Sequence, residues 1–283
     1  MKKNISILIV LIILFTSCQK EVDWNTGGGG GGGTTNQKLV RVGTRSGTDT
    51  TTTDYGYNAA GKLIRNYIAG TAQGTTFFIE AKFNRNASNI ITSVVLKSDQ
   101  FAAIGIDSIV TNVKYNTSTS RYTGTVTVLT VFGFTIKDSS VYSYDGSGLL
   151  IQEEAFASNP LTGLYAPSTK DVYTYAANGN VLNEKYYDYD AASSSYQLSE
   201  EYTNEYDTKV APLQLGVEAI FLGDMVDAAV NNLTKAIYSD ATDPTNNETT
   251  DYVYTYNTAN KPLTSTSTVT PGGTVTRHTY TYQ

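Results

Sequence analysis

The chain has 283 residues, 40% hydrophobic and 16% charged, with a formal net charge of −6. A surface this acidic and this poor in Lys and Arg is a bad match for nucleic acid or any other polyanion. Its 22 tyrosines, against two methionines and six prolines, favour strands over helices, and the length fits one large all-β domain.

In chain order, Met1-Lys2-Lys3-Asn4 is a basic opening and residues 5–15 are apolar except for Ser6. That run is shorter than the roughly 20 residues a membrane-spanning helix needs. It leads into Leu14-Phe15-Thr16-Ser17-Cys18, which resembles the lipobox of bacterial lipoproteins. The resemblance implies a signal peptide over residues 1–17, lipidation of Cys18 and a membrane as partner through that lipid. An ordinary signal peptide with an incidental thiol is the other reading. Cys18 is the only cysteine, so no intrachain disulfide forms even in an oxidising compartment. Gln19-Lys20-Glu21-Val22-Asp23 resembles, with Val22 interrupting it, the export signal of surface-exposed lipoproteins in Bacteroidota-type bacteria. It implies an outer-membrane protein facing the cell exterior. The unbroken run Gly27–Gly33 makes residues 18–36 a flexible tether, with a reach of about 20–25 Å.

From residue 37 onward the pattern is short strands and tight turns. Strands are expected at 38–44, 62–69, 75–83, 90–97, 108–115, 122–136 (one or two), 141–144, 149–156, 171–175, 180–189, 197–206, 234–238, 250–256, 263–270 and 274–282. Residues 46–53 read as a polar turn. Such spacing is the signature of an antiparallel meander. Alternation places Phe77, Ile79 and Phe83 inside, then Ile109, Val113 and Tyr115, then Tyr122, Val126 and Val128. Residues 149–156 and 180–189 do not sort onto two faces. Residues 212–232 break the alternation. Val217, Ile220, Phe221, Val226 and Ala229 fall at helical spacings, with Asn231-Asn232 as a cap. A short helix there would plug an open end of a curled sheet or lie as a lid over a ligand cavity.

One phrase organises the rest. Tyr252, Tyr254 and Tyr256 alternate with Val253 and Thr255 and are followed by the turn residues Asn257 to Lys261. The phrase recurs as Tyr55-x-Tyr57-Asn58-x-x-Gly61, as Tyr142-x-Tyr144-Asp145-x-x-Gly148 and as Tyr173-x-Tyr175-x-x-x-Gly179. Gly61, Gly148, Gly179 and Asn260 occupy the same place, and Gly and Asn are the residues that best tolerate positive φ. A longer turn class follows Tyr115-Asn116 and Tyr189-Asp190. The Tyr-x-Tyr-Asn/Asp-x-x-Gly phrase resembles the YD or RHS-type repeat over most of residues 50–283, and resembles uncharacterised surface lipoproteins of the same bacterial group. The resemblance implies a single curled antiparallel β domain over residues 37–283, an open barrel or roll. It brings no functional residues, because the repeated positions are architectural.

No catalytic set emerges. His278 is the only histidine and alternates with Tyr280 and Tyr282 as a strand residue would. Asp188 and Asp190 share a face but lack the six to eight oxygens that Ca²⁺ takes. The glycine run has no Lys-Ser/Thr after it and is not a phosphate loop. No cofactor, metal or nucleic-acid partner is expected. Two function classes remain. One is a non-catalytic envelope lipoprotein that binds glycan, peptide or another envelope protein through tyrosine faces. The alternative is a periplasm-facing carrier or envelope-assembly factor with an apolar cavity.

Overall fold

The computed structural model describes residues 37–131, 133–159, 162–213, 216–223 and 229–283. The leader, Cys18, the glycine tether and Val226 lie outside the described residues.

Sixteen strands follow in order. They are β1 (Leu39–Ser46), β2 (Asp49–Tyr57), β3 (Leu63–Ala72), β4 (Thr75–Arg85), β5 (Ile91–Ser98), β6 (Ile109–Asn116), β7 (Arg121–Val131) and β8 (Phe134–Tyr144). The second half is β9 (Leu150–Ser158), β10 (Tyr165–Tyr175), β11 (Val181–Asp190), β12 (Ser195–Val210), β13 (Asn231–Asp240), β14 (Glu248–Tyr256), β15 (Pro262–Thr270) and β16 (Val275–Tyr282). Each pairs antiparallel with its chain neighbour, and β1 pairs with β16. The meander therefore closes into a barrel, leaving no free edge, rather than stopping as an open roll.

Several expectations need correction. The turn within residues 46–53 is only Gly47-Thr48, with φ +59° at Gly47; Asp49–Tyr57 is a strand, as its β-branched threonines favour. Residues 122–136 span β7 and the start of β8, and Val141 belongs to β8. In place of the expected α-helix, the described residues of the insertion hold a 3-10 helix, Gly216–Phe221. Asn231 and Asn232 open β13 instead of capping a helix. A one-turn helix, α1 (Asp99–Ala103), was not expected; Ser98 Oγ caps it by accepting from Phe101 N at 3.1 Å.

The barrel has two unlike ends. At the entry end the chain joins β1, and the turns 58–62, 86–90, 145–149, 176–180 and 257–261 lie there with the insertion. At these turns φ is +76° at Gly61, +62° at Asn89, +97° at Gly148, +89° at Gly179 and +59° at Asn260. A side-chain oxygen closes most of them: Asn58, Asn86, Asp145 and Asn257 each accept the backbone N–H four residues on.

Each of these hairpins also carries a β-bulge. The register skips Ile64, Thr92, Thr123, Ile151, Leu182, Thr234 and Leu263. The residue before the bulge turns inward, and Leu63, Ile91, Tyr122, Leu150 and Val181 are buried. The two residues after it turn outward, which shifts the parity of everything downstream. This corrects the reading of β7: Thr125, Thr127 and Leu129 face in, and Val126 and Val128 face out. It also explains why 149–156 and 180–189 would not sort. A skip at Val40 similarly lets Leu39 and Val42 both face inward.

The closing tyrosines lock one hairpin to the one before. Tyr57, Tyr144, Tyr175 and Tyr206 donate their hydroxyls to the carbonyls of Leu39, Tyr122, Leu150 and Val181, at 2.8, 2.7, 2.6 and 2.8 Å. In the hairpin Phe83-Asn84-Arg85-Asn86 an arginine takes the tyrosine's place, and its Nη2 donates to Leu63 O at 2.8 Å. The main core sits here, joining Leu39, Tyr55, Phe83, Tyr122, Tyr142 and Tyr173 to Leu213, Ile220 and Leu222 of the insertion. A smaller cluster at the far end packs Phe101 and Ile106 against Leu129 and Val131.

Candidate functional site

Two arrangements stand out beyond architecture. The first is the plug. Glu218, on the 3-10 helix, receives both arms of Arg85 at 2.6 Å, and the two side chains are only 10% and 5% exposed. Tyr122 donates to the same carboxylate at 3.3 Å and meets Phe221 edge to face at 4.8 Å. Arg85 further donates to Asn89 O and Leu63 O, so its charge is spent on holding the insertion and two turns. The insertion thus fills the entry end with its own side chains.

The second is the inner wall of β8 to β14. Directly opposed residues of an antiparallel ladder share a face. One row across the wall reads Tyr142, Glu153, Asp171, Tyr186, Glu200, Asp240. The adjoining row reads Tyr173, Glu184, Tyr202, Tyr238, Glu248. Tyr173, buried in the core, fixes the inward direction, and Asp188 follows on the same face, opposite Gln197. The lysines of these strands lie elsewhere. Lys170, Lys185 and Lys235 face outward, on Tyr187 and Tyr196, Glu201 and Asp251 respectively. Lys209 sits at the entry rim on Asn260 Oδ1.

The electrostatics follow from that one-sided composition. Burial pushes the Asp171 carboxyl well above its ordinary value, and the charges of Glu153, Asp188 and Glu200 push it further. Burial, then Asp240 and Asp188, raises Glu200. Deeper in, Asn204 donates to Glu184 Oε1 at 3.3 Å, while its own Oδ1 is buried with no hydrogen-bond partner among the described residues. Toward the far end Asp188 and Glu248 are exposed, so water reaches this wall. It is an acceptor-rich surface of carboxylates spaced by aromatic rings. The opposite wall is different: a row there reads Tyr254, Ser265, His278, Thr44, Thr51.

The residues singled out in the sequence fall as follows. His278 faces inward, its Nδ1 3.0 Å from Thr44 Oγ1, and burial lowers its pKa. Asp190 binds its own turn, accepting from Ala192 N and Ser193 N, so of the Asp188–Asp190 pair only Asp188 joins the acidic wall. Gly61, Gly148, Gly179 and Asn260 are turn residues. No group of three or more His, Cys, Asp or Glu among the described residues is placed to hold a metal ion. The acidic row and the Arg85–Glu218 pair were missed. Bulges hide the shared face of Glu153, Asp171 and Glu200, and Arg85 stands where the repeat elsewhere has tyrosine.

No known family matches the sequence, and no curated protein matches it. Solved structures do match. A porin-like protein from Bacteroides uniformis is 13% identical with a TM-score of 0.52, the alignment covering 87% of this chain and 98% of that one. A porin-like protein from Bacteroides vulgatus is 10% identical with a TM-score of 0.54, covering 88% and 99%. The likeness is one of fold. Barrels that span membranes present an outward apolar band about 25 Å tall. Here outward strand positions carry the ion pairs Arg41–Asp54, Arg65–Glu80, Lys185–Glu201 and Lys235–Asp251.

Proposed function

We propose that this chain is a non-catalytic binding barrel of the bacterial cell envelope, anchored to the outer membrane through a lipid on Cys18 and facing the exterior. The barrel itself stands in water. Each Lys or Arg at the middle of a lipid-facing strand costs about 2–4 kcal/mol, and the outward ion pairs would multiply that cost. The reading of the chain as a YD/RHS-type repeat protein belongs to the same proposal, supported by one bulged, tyrosine-locked hairpin used again and again.

The ligand that fits the inner wall is cationic, a basic segment of a peptide or envelope protein. The observation that carries this is the row Glu153, Asp171, Tyr186, Glu200, whose face holds no lysine or arginine from β9 to β14; Asp240, next in the row, is held by its own turn. Mutual repulsion there is relieved by a bound cation, and the rings offer cation–π contacts. An apolar cargo is favoured less, because the apolar entry end is filled by Leu213, Ile220 and Leu222.

The test is binding of a fluorescent Lys/Arg-rich peptide, with an acidic peptide of equal length as control. Binding of the basic peptide should weaken with added salt and fall about tenfold or more in the Asp188→Asn, Glu200→Gln double variant. Equal binding of both peptides, or no response to the variant, overturns the reading.

A further inference from the structure

We propose that the entry end of the barrel is a docking face for a membrane surface rich in anionic headgroups. The inference rests on the reading of the chain as a lipid-anchored envelope protein. Residues 1–36 join the barrel at this end through Gln37 and Lys38, which pairs with Gln283 beside the start of β1. A flexible chain of the length of residues 18–36 has a root-mean-square reach of about 20–25 Å, so a lipid on Cys18 would bring this face near the membrane. At so high an effective concentration, a weak contact is enough to hold an orientation.

The chemistry of the face fits that partner. Lys38 lies over the Tyr57 ring at 5.4 Å, Arg121 over Tyr144 at 5.1 Å and Lys261 over Tyr282 at 5.4 Å. One device repeats: a cation just before the buried strand-opening residue, seated on a closing tyrosine. Lys62 and Lys209 stand at the same rim. These side chains are half-buried, and Lys209 and Lys261 donate to Asn260 Oδ1 and Gln37 O at the rim itself. Nearby, Asp145 is tied into its own turn by Ser147 and Leu149. Asp224 and Asp227 lie outside the described residues.

The bulges add the apolar part. Ile64, Ile151, Leu182 and Leu263 all point outward just behind this rim, at 38, 37, 42 and 42% exposure. On a surface of headgroups these four aliphatic side chains would be covered. The far end also exposes hydrophobics, Phe134, Leu164 and Val275 among them, but it differs in charge. Its described connections carry Asp99, Asp107 and Asp243 and no Lys or Arg, and the strand ends beside them carry Asp49, Asp190, Asp240 and Glu248 against Arg45 and Lys97. Among the described residues the entry end, Asp145 and Asp207 included, is the more basic of the two, and the acidic mouth is directed away from the lipid.

The experiment places the processed, lipidated protein in phosphatidylcholine vesicles with or without phosphatidylglycerol and follows backbone hydrogen exchange. Turns 58–62, 145–149 and 257–261 should exchange more slowly on the anionic vesicles, and the far-end turns at the same rate on both. Lys62→Gln and Lys209→Gln should each cut the protection about fivefold, the weight of one cation near an anionic surface. Leu182→Ser with Leu263→Ser should weaken it with thermal stability unchanged. Equal exchange on both vesicles, protection at the far end, or indifference to the lysine variants overturns the proposal. An unlipidated Cys18, seen by mass, sinks the anchor reading alone. The docking face is then judged by whether the same chain sediments with anionic vesicles and not with neutral ones.

Discussion

At the entry end, Arg85 and Glu218 meet in a buried bidentate pair while tyrosine hydroxyls stitch successive hairpins through the carbonyls of Leu39, Tyr122, Leu150 and Val181. Toward the far end the wall of β9 to β14 carries Asp171, Asp188, Glu200 and Asp240, and burial and mutual repulsion raise Asp171 and Glu200. One end spends its polar groups on satisfying each other. The other sets carboxylates beside one another, and of these Asp240 is held by its own turn, accepting from Thr242, Asp243 and Asn246. A closed barrel supplies continuous backbone pairing, so such a wall is tolerated as long as the other end supplies the stability.

The largest effect should therefore come from breaking the plug. Glu218→Ala strands the Arg85 guanidinium in a buried site, and loss of one partner of a buried pair costs about 3–5 kcal/mol. Denaturant unfolding should show that loss, and a peptide-binding assay should show the inner wall disturbed only as far as the barrel is. The double change Arg85→Met with Glu218→Leu should recover much of the stability, because apolar residues of similar volume often replace a buried ion pair at little cost. If the double variant is as unstable as Glu218→Ala, the pair is fixing geometry at Leu63 O and Asn89 O rather than balancing charge.

Next in size is the tyrosine lock. Tyr144→Phe or Tyr175→Phe keeps the ring and removes the bond to a carbonyl freed at a bulge, which should cost about 1–3 kcal/mol. Tyr165→Phe, on an exposed ring at the far end of β10, should stay within about 0.5 kcal/mol. Thermal melts of the three variants side by side sharpen the contrast. Equal losses at all three would mean that the hydroxyls do not distinguish the ends.

Much of this was legible in the residues. The φ-tolerant positions Gly61, Gly148, Gly179 and Asn260 mark real reversals, because turn chemistry is local and needs no tertiary information. The insertion at 212–232 was visible as a break in alternation. The bulges were not visible, because a register skip is a property of two strands at once, and nothing in Leu150-Ile151-Gln152 reports what stands opposite. Reading parity straight through Thr123 is what put Val126 and Val128 on the wrong face. Closure of β1 on β16 was likewise beyond a one-strand reading. So was the inner acidic row, since Glu153, Asp171 and Glu200 come together only after three separate bulges have been counted. Arg85 was overlooked for a chemical reason: it makes the tyrosine's hydrogen bond with a different group.

The smallest effect tests the far end on its own terms. Glu200 has a folded-state pKa raised by burial and by Asp240 and Asp188. A carboxyl that holds its proton more tightly when folded contributes stability below its ordinary pKa, near 4.5, and loses that contribution as pH rises toward the folded value. The group is only partly buried, so solvent screening keeps the effect under about 1 kcal/mol. Glu200→Gln should accordingly stabilise the protein slightly at neutral pH and flatten the decline in stability above pH 4.5, read from denaturant midpoints across the range. A bound basic peptide should flatten it in the same way without any substitution, because it supplies the missing opposite charge. If Glu200→Gln instead destabilises the barrel at neutral pH, the carboxylate has a structural partner, the row is not an idle acceptor surface, and the contrast between the two ends loses its physical basis.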